Sequence, residues 1–175
     1  MNLVLIGYRC TGKSTIGLIL ADKLAWPLVD TDTVIQEQAG RSIKEIVGAG
    51  GWGEFRRLER EAIAAVAARD HQVISAGGGA VLDESNAKAL KGAGKVILLV
   101  AEPETIWQRM QADPKTLAAR PDLTDAGGMA EVQRVLADRR PKYLAACDYA
   151  IPTDRFSPDE TAGRILAWLK AAGYL

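Results

Sequence analysis

The segment Gly7-Tyr8-Arg9-Cys10-Thr11-Gly12-Lys13-Ser14 follows directly on the apolar run Leu3-Val4-Leu5-Ile6 and fits the spacing G-x-x-x-x-G-K-[ST]. Strand, glycine loop and helix in that order is the context in which this spacing binds phosphate. It commits the start of the chain to a buried strand that feeds a helix. Glycine at both ends lets the backbone curl around an anion, with successive N–H groups turned inward. The helix that begins near Lys13 adds its positive N-terminal end. Lys13 is placed to reach the outer phosphates and the Ser14 hydroxyl to ligate Mg²⁺. Cys10, Thr11, Gly12 and Thr15 are the remaining expected nucleotide contacts. A plain glycine turn ahead of a helix is the competing explanation, and the flanking strand and helix weigh against it.

Downstream, short apolar runs alternate with stretches of helical periodicity. Strands are expected at 3–6, 27–30, 72–75, 95–100 and 148–151. Helices are expected at 13–25, 33–39, 42–47, 54–69, 84–91, 103–112, 130–146 and 158–171. In the fourth helix Phe55, Leu58, Ala62 and Val66 form the apolar stripe. Ser157-Pro158 opens the last one as an N-cap followed by proline in the first turn. Short strands of nearly unbroken apolar character between helices describe an α/β, three-layer P-loop fold: a five-stranded parallel sheet with helices on both faces.

At 175 residues, 48% of them hydrophobic, the chain is expected to be one domain over 1–175. Lys plus Arg and Asp plus Glu number 22 each, a balance that argues against nucleic-acid and membrane-surface partners. No apolar stretch approaches the length of a membrane span, and the N-terminal run is too short for a signal-peptide core. Cys10 and Cys147 are far apart and lack metal-ligand spacing. They are expected to be reduced thiols in a cytoplasmic protein.

The stretch from Asp113 to Gly128 breaks the regularity, with prolines at 114 and 121 and glycines at 127 and 128. It is long for an ordinary connection between helices. A surface loop without function is one explanation. A mobile lid is the other, and behind a phosphate loop it gains weight, because phosphoryl transfer needs water kept from the γ-phosphate. Arg120, in the middle of this stretch, could then close on the phosphates and neutralise charge in the transition state.

Three further groups carry chemistry. Asp30-Thr31-Asp32 ends the second strand, on the edge that faces the ligand crevice in such sheets. On extended chain its two carboxylates point the same way. One can join a metal shell and the other accept a hydrogen bond from a substrate hydroxyl; a helix N-cap at Asp32 is the alternative. Arg56 and Glu59 stand i, i+3 on a helix, either as an exposed ion pair or as a guanidinium fixed to grip a substrate carboxylate. Gly77-Gly78-Gly79 follows the third strand and allows the backbone to approach a ligand closely. Of Arg139 and Arg140, one can face the crevice while the other faces water.

The set resembles the shikimate kinase family, in the nucleoside-monophosphate-kinase-like branch of P-loop proteins. The matching pieces run in the family's order from residue 7 to 143: the phosphate loop, Asp30-x-Asp32, Phe55-Arg56-x-x-Glu59, Gly77-Gly78-Gly79-Ala80-Val81, Arg120-Pro121 and Arg139-x-Pro141-x-Tyr143. The resemblance implies a single kinase domain that uses ATP and Mg²⁺, with a substrate-binding segment at about 32–60 and a lid at about 112–128. It implies that Lys13 meets the transferred phosphate and that Ser14 and Asp30 belong to the Mg²⁺ shell. Asp32 would orient the attacking hydroxyl of shikimate, and Arg56 and Arg139 would hold its carboxylate. Gly77, Gly78 and Gly79 would lie beside the ring, and Arg120 would arrive from the lid onto the phosphates. A monomer is expected. Two positions depart from the commonest family pattern: Asp122 follows the lid proline, and Trp52 stands where many members carry a glutamate. A kinase for another small hydroxy acid such as gluconate, and a P-loop regulator without turnover, are the rival expectations.

Overall fold

Every residue of β1 (Asn2–Ile6) is buried, which requires partners on both edges and cover on both faces. The computed structural model, which describes residues 1–113 and 127–175, supplies both. β1 lies between β3 (Val73–Ser75) and β4 (Gly94–Val100), and β2 (Leu28–Asp30) and β5 (Tyr149–Pro152) form the outer strands. The order is β2-β3-β1-β4-β5 and all pairings are parallel, with Leu3 opposite Val73 and Asn2 opposite Gly94. All five expected strands are present, each within one residue of its expected ends.

Side chains alternate along a strand, so β1 sends Val4 and Ile6 to one layer and Leu3 and Leu5 to the other. The first layer is closed by Ile63 and Val66 of α3 (Ile43–Ala67), Leu90 of α4 (Glu84–Ala93) and Tyr143 of α6 (Gly128–Ala146). The second is closed by Ile16 and Leu20 of α1 (Lys13–Leu24) and by Ile165 and Leu169 of α7 (Pro158–Ala171). Each fully buried Leu or Ile contributes roughly 1.5–3 kcal/mol. The expected arrangement of helices on both faces holds. Ser157 caps α7 in a capping box with Glu160, with Pro158 in the first turn as expected.

Two helices were expected at 42–47 and 54–69, and α3 is indeed two helical segments, because the span Ile43–Ala67 is broken by a kink at the non-helical Gly51, φ 70° and ψ −179°. That backbone conformation is essentially restricted to glycine. The bend lets Ile43, Ile46 and Phe55 share a small core with Ile35 of α2 (Thr31–Ala39).

In a parallel sheet all strand C-termini share one edge. There β1 releases the phosphate loop, β2 ends in Asp30, and β3 runs into Gly77–Gly79. α5 (Pro103–Ala112) leads toward 114–126, so Arg120 and most of the expected lid lie outside the described residues. Among the described residues no helix is long and apolar enough to cross a membrane.

Candidate active site

Two clefts meet on this edge. The first follows the phosphate loop. Gly7 has φ 140°, and a Cβ there would strike the carbonyl of Leu99, so only glycine fits. Thr11 Oγ1 donates to the Tyr8 carbonyl at 2.8 Å. Lys13 is buried, and its Nζ donates to the carbonyls of Gly7 and Tyr8, each at 2.8 Å, which holds the ammonium over the mouth of the loop. Of the expected nucleotide residues, the six from Cys10 through Thr15 line this cleft, together with Asp30 and Asp32, while Arg120 lies outside the described residues.

The two aspartates correct the expectation of a shared strand face. Asp30 ends β2 and is itself the N-cap of α2: its Oδ1 accepts from the N–H groups of Asp32 at 3.0 Å and Thr33 at 3.2 Å. Its Oδ2 accepts from Ser75 Oγ at 2.9 Å. Asp32 is already inside the first turn and is not the cap. The reason is that a helix start leaves N–H groups without partners, and the carboxylate at the strand's end is the one in reach. The alternation of extended chain therefore does not set the direction of Asp32. Asp30 and Ser14 still face the same cleft, and two hard oxygen donors there suit Mg²⁺, which keeps several waters and binds substrate phosphates. Among the described residues no three His, Cys, Asp or Glu groups gather as a metal cage.

The second cleft brings together Asp32, Arg56, Arg139 and Gly77–Gly79. Arg56 Nη1 donates to Glu59 Oε2 at 2.6 Å, and Glu59 is fully buried. Burial pushes the Glu59 carboxyl up, against the opposing pull of Arg56. The guanidinium carbon of Arg56 lies 5.7 Å from the Trp52 ring centre and 5.3 Å from that of Phe55. Arg139 Nη1 donates to the Gly78 carbonyl at 3.0 Å, and the buried Tyr143 hydroxyl donates to the same oxygen. Burial raises the Tyr143 phenol above its ordinary value. The three glycines make room for these groups. A Cβ on Gly77 would sit 2.6 Å from Asp32 Oδ1, and one on Gly79 would overlap the Arg56 guanidinium. Arg9, Asp32 and Gly77 line both clefts. The arrangement can thus place a polyphosphate against an acceptor that carries a carboxylate, with an aspartate at the junction.

Comparison with known proteins decides among acceptors. The family model described as shikimate kinase matches residues 9–170.

The chain belongs to the shikimate kinase family.

It is 41% identical over 173 residues to the shikimate kinase of Symbiobacterium thermophilum, covering 99% of this chain and 98% of that one. The structure of shikimate kinase from Acinetobacter baumannii in complex with shikimate superposes with a TM-score of 0.91 at 29% identity, over 98% of this chain and 93% of that one. Shikimate kinase from Aquifex aeolicus gives a TM-score of 0.81 at 28% identity, over 99% and 98%. The resemblance carried by the motifs is thereby established, and with it the three-layer fold.

Against this shikimate kinase frame, some lining residues were not legible. Arg109 borders the nucleotide cleft from α5. Its Nη1 donates to the Cys10 carbonyl at 3.2 Å and its Nη2 to the Thr153 carbonyl at 2.8 Å. Nothing in an amphipathic helix marks such a residue, whose partners are remote in sequence. Tyr8 and Arg9 occupy variable positions of the loop motif. Tyr8 is buried among Ile106, Met110, Val132 and Val135, and a large aromatic in a phosphate loop is the one signal that could have marked it. Of the two adjacent arginines, Arg139 faces the acceptor cleft.

Proposed function

We propose that this kinase transfers the γ-phosphoryl group of ATP to the 3-hydroxyl of shikimate, giving shikimate 3-phosphate on the route to chorismate and the aromatic amino acids. The observation that carries the reading is the position of Asp32, which lines both the nucleotide cleft and the cleft holding Arg56 and Arg139. The solved relative from Acinetobacter baumannii, whose complex contains shikimate, supports that acceptor.

Arg56 and Arg139 hold the carboxylate by paired N–H donors, and Glu59 keeps Arg56 in register. The Gly77–Gly79 backbone lies beside the ring. Asp32 accepts the hydrogen bond of the attacking hydroxyl; as the new O–P bond forms and the bond to the β-phosphate breaks, the hydroxyl proton leaves through it. Lys13 follows the phosphoryl group in transfer; the charge-neutralising role expected of Arg120 falls outside the described residues. Ser14 and Asp30 would hold Mg²⁺, which would supply positive charge to neutralise the phosphates. Catalysis is positioning and charge stabilisation, with no covalent intermediate on the protein.

The reading includes one kinase domain over 1–175, acting as a monomer in the cytoplasm on a small molecule. Equal numbers of acidic and basic side chains support a small-molecule partner over a polyanion. Light scattering should return a mass near 18.8 kDa.

The test is an ATP-coupled assay offering shikimate and gluconate separately. Turnover with shikimate, lost in Asp32→Ala while ATP still binds, is the expected result. Transfer to gluconate alone would overturn it.

A further inference from the structure

Arg9 is an arginine within the phosphate loop, and it is buried: 6% exposed, against 2% for Glu131 in the first turn of α6. Arg9 Nη2 donates to Glu131 Oε1 at 2.6 Å, and Nε donates to the Tyr8 hydroxyl at 3.3 Å. Withdrawing two charges from water is costly, and a buried pair is weak evidence of stabilisation, so its retention asks for another reason. The walls of the clefts supply one. Arg56 and Arg139 border the acceptor cleft only, whereas Arg9 borders both clefts, at the same seam as Asp32. Glu131, which binds the guanidinium of Arg9, borders neither cleft. The construction repeats that of Arg56 and Glu59, where a buried glutamate 2.6 Å away holds an arginine toward a cleft. Glu131 and Tyr8 occupy only part of the donor set of the guanidinium.

We propose that Glu131 is a positioning residue that holds Arg9 at the seam of the two clefts, where the guanidinium stabilises charge on the phosphoryl group in transfer. This rests on reading the clefts as a phosphoryl-transfer site. Arg56 and Arg139 serve the acceptor's carboxylate, and Arg9 serves the group that moves. A preorganised donor aimed at developing charge is worth roughly 10²–10³ in kcat.

Steady-state kinetics on Arg9→Gln and Glu131→Gln test the division of labour. The expected result is a fall in kcat of roughly 10²-fold for the first and about 10-fold for the second, with shikimate KM within about 3-fold of the parent. A raised shikimate KM with kcat intact would overturn the proposal, since Arg9 would then be a third carboxylate anchor. Replacing both partners by apolar residues separates folding from function, because such replacements often preserve stability. Arg9→Met/Glu131→Met should melt like the parent and remain as slow as Arg9→Gln; parental turnover in that variant would show the pair to be structural only. An acceptor-independent arm compares binding of ADP with binding of ADP plus aluminium fluoride, which imitates a phosphoryl group in flight. Arg9→Gln should bind ADP as the parent does and lose at least about tenfold of the tightening that the fluoride complex brings. Unchanged tightening would overturn the proposal. A parent that fails to phosphorylate shikimate yet shows this Arg9-dependent tightening would refute the acceptor and leave the role of Arg9 standing.

Discussion

Glu59 keeps its carboxylate out of water, with one oxygen on Arg56 and the other, among the described residues, without a hydrogen-bond partner. Its proton is therefore held more tightly in the folded chain than in the unfolded one, chiefly because burial disfavours the charge. The stability contributed by this raised group is full below the unfolded carboxylate value and is lost as pH rises through the higher folded value. Glu59→Gln cannot ionise, so thermal melts of variant and parent from about pH 4 to pH 7 should shift progressively in the variant's favour as pH rises. At the neighbouring Gly79, an added Cβ would overlap Arg56, whose flexible end can move aside. Gly79→Ala should therefore fold and raise shikimate KM by about tenfold or more, a loss measurable by steady-state kinetics, because a displaced carboxylate anchor costs roughly 1.5–3 kcal/mol. The i, i+3 spacing of Arg56 and Glu59 could be read along the chain. That Gly79 exists to clear space for Arg56 could not, since the two lie 23 positions apart with a strand between them.

Helix α3 shows the same tension at the scale of an element. A glycine-rich stretch between Val47 and Glu54 reads as an interruption, and local propensity does favour one. The two helical segments on either side stay packed together, because Trp52 and Phe55 pack edge-on to each other at 5.6 Å and Phe55 is buried with Ile43 and Ile46. The break itself falls at Gly51, whose backbone is not helical. Gly51→Ala forces a side chain into a conformation it rarely adopts and should cost about 1–3 kcal/mol in urea unfolding. Because Ile43 and Trp52, on either side of the bend, both line the acceptor cleft, the same variant should also raise shikimate KM. The Asp30-Thr31-Asp32 element shows the limit of period-two reasoning. The strand passes directly into the helix there, and the cap belongs to Asp30 because it reaches the N–H groups of Asp32 and Thr33.

For the whole molecule, both clefts open on one edge of a sheet that is covered on both faces, so each ligand couples to global stability. Shikimate at about 100 times its Kd should add roughly 2.7 kcal/mol to the unfolding free energy. For a chain of this size that corresponds to a rise in Tm of about 5–10 °C. Arg56→Ala/Arg139→Ala should lose that rise and keep the one produced by Mg·ATP, as read by parallel thermal melts. The sequence by itself determined the phosphate loop, the five strands, their parallel sense and the family, because each rests on local spacing or on a periodicity within one element. Only the tertiary structure decided which carboxylate caps α2, that Arg109 reaches Thr153 across 44 positions, and that Arg9 meets Glu131 across 122. Such contacts depend on how layers pack around the sheet edge, and no local pattern encodes a partner brought near only by that packing.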